Sequence, residues 1–70
     1  MSELTRVTAN FVPQAMAALE EAAGLEELSY TDTLNRAVRA YAQLVRERKA
    51  GSRLWLQRPG KKTMAEVEFL

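Results

Sequence analysis

The chain contains no cysteine and no histidine among its 70 residues. That excludes disulfides, zinc sites of the Cys/His kind, and nucleophile–base pairs built on a thiol or an imidazole. Glycine occurs only at Gly24, Gly51 and Gly60, too far apart to form a phosphate-cradling loop. The carboxylates fall mostly as sequence neighbours, such as Glu20 and Glu21. Neighbours on a helix point in different directions and do not form an acid–base pair. No apolar run approaches the roughly 18 residues that would span a membrane, and the chain does not open on the charged-then-apolar order of a signal segment. These absences predict a soluble cytoplasmic protein that is not an enzyme and uses no metal and no cofactor; the lack of cysteine fits a reducing compartment.

Length adds a constraint. A domain of this size buries only about 60% of its unfolded surface when it folds alone, which leaves it marginal. With neither disulfide nor metal to staple it, sharing a core between two copies is the remaining route to stability. The net charge of +1 conceals a strong asymmetry. Residues 1–34 carry six acids against Arg6 alone, a balance of −5, and residues 35–70 carry nine cations against three acids, a balance of +6. Such a split predicts distinct acidic and basic surfaces.

Thr5-Arg6-Val7-Thr8-Ala9-Asn10-Phe11 alternates polar and apolar side chains at period two, the signature of a strand over residues 5–11. Val7, Ala9 and Phe11 share one face, and Arg6, Thr8 and Asn10 the other. Nothing else in the first fifty residues reads as a strand that could satisfy its edge. The economical partner is the same strand from a second chain, antiparallel across a two-fold axis.

Pro13 suits the first position of a helix, where its missing amide costs nothing. Ala15, Met16, Leu19, Ala22 and Ala23 then follow at helical spacing, and Gly24 is a plausible stop, predicting a helix over 13–23. Ser29-Tyr30-Thr31-Asp32 resembles a capping box. Behind it Leu34, Ala37, Val38, Tyr41, Leu44 and Val45 form an apolar stripe, predicting a second helix over 30–50. Residues 52–70 read as a β-hairpin or arm, with strands at Arg53–Gln57 and Met64–Leu70 around an Arg58-Pro59-Gly60-Lys61 turn. Domain boundaries are placed at 1–51 and 52–70.

The order and spacing of these pieces resembles the ribbon-helix-helix family of DNA-binding proteins, the Arc- and MetJ-like repressors. The resemblance covers residues 5–50. It rests on the Thr5–Phe11 strand, the Phe11-Val12-Pro13-Gln14-Ala15-Met16 passage, Ala22-Ala23-Gly24-Leu25, and Ser29 to Val38. One departure is Glu26-Glu27-Leu28, inserted where the family passes from Gly-Leu almost directly to the serine cap. It is expected to add a turn of helix or to shift the second helix.

The resemblance implies a mainly α fold with a short N-terminal strand, in which two chains pair their strands into an antiparallel ribbon. The ribbon lies in the major groove of double-stranded DNA, a geometry that groove admits. Arg6, Thr8 and Asn10 would then face base edges: Arg suits guanine O6 and N7, Asn suits adenine N6 and N7, and Thr offers a hydroxyl and a methyl. Ser29, Tyr30 and Thr31 would hold a phosphate at the start of the second helix, although Ser29 and Asp32 would cap that helix with or without DNA. The implied function is a homodimeric transcriptional repressor, with dimers side by side on an operator. An alternative is an antitoxin that autoregulates through the same fold and captures a toxin through residues 52–70. A third is a dimerisation module with no nucleic-acid role.

Overall fold

A computed structural model describes residues 4–67. Within them the chain is mainly helical, with a small two-stranded antiparallel sheet: α1 (Pro13–Glu26), α2 (Tyr30–Lys49), β1 (Trp55–Gln57) and β2 (Met64–Glu66). The chain resolves into two units, Met1–Arg36 and Ala37–Leu70, and α2 begins in the first and continues in the second.

In the first unit, residues 4–12 form neither helix nor strand. Val12 is extended (φ −68°, ψ 154°) and offers no side-chain cap, so α1 starts on the strength of Pro13 at its first position. The Val12 carbonyl accepts from the amides of Ala15 and Met16, both at 3.0 Å.

α1 does not stop at Gly24. It runs on to Glu26, about one turn beyond the expected end at residue 23, and Glu27 takes the left-handed conformation at φ 54°. The amide of Leu28 donates to the Ala23 carbonyl at 3.0 Å, and that of Glu27 to the Gly24 carbonyl at 3.3 Å. This pair of bonds is a Schellman motif, and the motif explains the choice of end. It favours an apolar contact between the residue after the left-handed position and the residue four before that position. A stop at Gly24 would pair Leu25 with Glu20. A stop at Glu27 pairs Leu28 with Ala23, which is buried at 4% exposure, while Leu25 is left 79% exposed. The left-handed glutamate carries roughly 1 kcal/mol of strain. Glu26 thus belongs to the helix, and Glu27 and Leu28 to its cap.

The second unit contains most of α2 and the hairpin. α2 also ends in a Schellman motif, one residue before the expected boundary: the Ser52 amide reaches the Glu47 carbonyl at 2.9 Å and the Gly51 amide that of Arg48 at 3.0 Å, with Gly51 at φ 93°. Arg46, Arg48 and Lys49 in the last turn complement the negative end of the helix dipole. In the hairpin, Trp55 pairs with Glu66, Leu56 with Ala65 and Gln57 with Met64, and the Val67 amide extends the ladder to the Leu54 carbonyl at 2.9 Å. Both strands are shorter than expected; residues 68–70 of the anticipated second strand lie outside the described residues.

The register gives the hairpin two unlike faces. Directly paired residues share a face, and the face alternates along each strand. Leu54, Leu56, Ala65 and Val67 therefore line an apolar side, and Trp55, Gln57, Met64 and Glu66 the other. Among the described residues only Ala23 and Thr33 are buried, and Val38, Tyr41, Leu54 and Leu56 stand exposed. Among the described residues, Ala23 is the one buried hydrophobic side chain.

Candidate nucleic-acid interface

Arg6, Thr8 and Asn10 are all exposed, and so are the alternating apolar residues, with Val7 at 79% and Phe11 at 40%. No backbone group of residues 4–11 hydrogen-bonds to another described residue. The three polar side chains are thus neither consumed by contacts within the described chain nor aligned by a ladder. Their period-two spacing is a property of the sequence, and only a paired strand would turn it into a single face.

The start of α2 is ordered in detail. The Ser29 Oγ accepts from the Asp32 amide at 3.1 Å, the N-cap bond that the sequence pattern anticipates. Thr33, buried at 7% exposure, donates from Oγ1 to the Ser29 carbonyl at 2.8 Å, and its amide bonds the same oxygen at 3.0 Å. Asn35 Nδ2 donates to the Thr31 carbonyl at 2.7 Å. These side-chain bonds fasten the first turn and hold Ser29, Tyr30 and Thr31 together at its end. With the Asp32 amide satisfied, the amides of Tyr30 and Thr31 remain directed out of the helix end. The Ser29 hydroxyl accepts through one lone pair and retains its proton for donation. An anion placed there would meet two amides, one hydroxyl and the positive end of the dipole, opposed by the nearby Asp32 carboxylate.

Thr33 and Asn35 are the positioning residues that pattern reading passed over. Their signal was present, because Ser, Thr and Asn in a first turn compete for local backbone carbonyls. It was hidden by the capping-box reading of the same stretch.

The basic residues concentrate elsewhere. Between Glu47 and Glu66 there is no carboxylate and there are six cations: Arg48, Lys49, Arg53, Arg58, Lys61 and Lys62. Among the described residues one ion pair forms, Arg53 Nε to Glu66 Oε2 at 3.8 Å, with Arg53 mostly exposed. Such a pair contributes under about 1 kcal/mol. No group of three or more Asp, Glu, His or Cys that could hold a metal is present among the described residues, and no helix there is long and apolar enough to cross a membrane. No protein-family model, no curated protein and no solved structure matches the chain.

Proposed function

We propose that the chain is a ribbon-helix-helix transcriptional regulator: two copies pair residues 5–11 into an antiparallel ribbon and read operator DNA through the major groove. The observation that carries this reading is a period-two segment that runs into a proline-started helix and has no hydrogen-bonded partner among the described residues. Pairing it with a second copy satisfies its amides and carbonyls. It also turns Val7, Ala9 and Phe11 together toward the helices and leaves Arg6, Thr8 and Asn10 outward. A slip of one residue would put Phe11 and Val7 on the groove floor, so the register is strongly specified. Ser29, Tyr30 and Thr31 would then clamp a phosphate and set the orientation of the ribbon, without contributing sequence information.

The ordered C-terminal hairpin favours a self-contained regulator over the antitoxin reading, which is better served by an extended tail that folds on its toxin. Selection of bound sequences from a random duplex library tests the function. The wild type is expected to enrich a short repeated motif, and an Arg6→Ala/Asn10→Ala variant is expected to lose that enrichment while staying folded. Equal enrichment by both proteins would remove base reading from the strand; no enrichment by a folded wild type would overturn the regulator reading.

A further inference from the structure

The proposed reading strand carries a single cation per chain, Arg6, and that residue is assigned to a base. Residues 1–34 are otherwise acidic. Affinity for duplex DNA comes largely from neutralising phosphates, and a protein that makes about 6–10 such contacts binds with a steep salt dependence. The strand and the α2 start, which offers amides rather than charges, cannot reach that number. Apart from Arg36, the remaining cations lie in the second unit.

The hairpin turn is the place in that unit where three cations stand together with no acid among them on a hydrogen-bonded turn. Arg58, Lys61 and Lys62 lie within five residues, all exposed, with no acid among them. The Lys61 amide closes the turn on the Arg58 carbonyl at 3.1 Å, and Gly60 sits at φ 76°, as the third residue of a Pro-Gly type II turn requires. Gln57 Nε2 donates to the Lys61 carbonyl at 2.9 Å and ties the first strand to the far side of the turn. The backbone bearing these charges is fixed before any ligand arrives, so less ordering entropy is lost on binding. The basic cluster at the end of α2 differs, because the helix dipole already accounts for it.

We propose that the turn formed by Arg58, Lys61 and Lys62 is a second nucleic-acid contact, gripping the phosphate backbone of duplex DNA. Two turns per dimer would supply six cations, enough for a steep salt dependence of binding. The inference rests on the DNA-binding reading above. It divides the labour: the strand selects the site and the hairpin turn supplies non-specific affinity.

The test is the salt dependence of binding of the full chain to a duplex of random sequence, followed by fluorescence anisotropy. It compares the wild type, Arg58→Gln/Lys61→Gln/Lys62→Gln, and the charge-matched Arg46→Gln/Arg48→Gln/Lys49→Gln. Each lost phosphate contact lowers the slope of log K against log salt by about 0.9, so the turn variant is expected to lose up to about 5. Preference for any selected motif should persist. A gain-of-charge variant, Thr63→Lys, is expected to steepen the slope by about 2 and does not depend on the triple variant folding. A loss below about 3 in the folded turn variant, or an equal loss in the α2 variant, would overturn the turn assignment and leave the regulator reading standing. Failure of the wild type to bind duplex DNA at low salt would overturn both. Phosphatidylserine vesicles form a separate arm. Retention lost by the turn variant, with its DNA affinity unchanged, would assign the phosphate chemistry to lipid headgroups and overturn the proposal.

Discussion

Glu27 is the one residue other than glycine with a positive φ among the described residues, and it stands where glycine is usual. Its carboxylate also lies at the negative end of the α1 dipole, with no basic residue in the last turn to offset it. Replacing it with glycine relieves both strains, and Glu27→Gly is expected to raise stability by about 1 kcal/mol. Gly24 is the complementary case. It lies inside α1, and a Cβ added there meets nothing within 4 Å. Gly24→Ala is therefore expected to stabilise the chain by up to about 1 kcal/mol. If Gly24 were the left-handed stop that its place in the sequence suggests, the same change would destabilise. Urea titrations of both variants at one fixed protein concentration separate these outcomes, because oligomer stability depends on concentration. Ser29→Ala removes the bond to the Asp32 amide and should cost about 1 kcal/mol in the same assay.

At the scale of elements, what the sequence made legible depended on whether the deciding partner was local. The α2 cap was readable because Ser29 and Asp32 are three residues apart, and the hairpin turn because Pro59-Gly60 encodes its own dihedral angles. The end of α1 was misplaced by three residues. Gly24 is a strong local stop signal, and the competing term, an apolar contact between Leu28 and Ala23, appears only once the helix exists. The strands at Trp55–Gln57 and Met64–Glu66 came out shorter than the apolar patterning suggested, since an isolated two-stranded sheet has little to hold its outer residues. Of the candidate interface, the residue types were legible; the face they form was not, because the ladder that would create it needs a second chain. The hairpin provides a test at this scale. Gly60→Ala places a side chain at φ 76° and is expected to cost roughly 1–2 kcal/mol, read as loss of the Leu54–Val67 and Leu56–Ala65 cross-strand signals by NMR while α1 and α2 persist.

At the scale of the whole molecule, the described residues carry exposed apolar side chains, and Ala23 is the one buried hydrophobic residue among them. Val7, Phe11, Val38, Tyr41, Leu54 and Leu56 are all exposed in one copy. The proposed dimer would bury the strand and helix members of this set, where only Ala23 and Thr33 are buried among the described residues of one copy. Sedimentation equilibrium should return twice the 7.9 kDa chain mass. Phe11→Ala removes two rings per dimer at about 3 kcal/mol or more each if both are buried in the shared core, and it is expected to leave monomers at micromolar concentration.

The central claim is that residues 5–11 of two chains pair with each other. A dimer mixed from isotope-labelled and unlabelled chains tests it directly, through NMR contacts filtered for pairs between chains. The account predicts interchain contacts running antiparallel through residues 5–11, protection from exchange at alternate amides, and shifts at Arg6, Thr8 and Asn10 when a selected duplex is added. Residues 5–11 without interchain contacts, or paired instead with an edge of the Trp55–Gln57 hairpin, would contradict it.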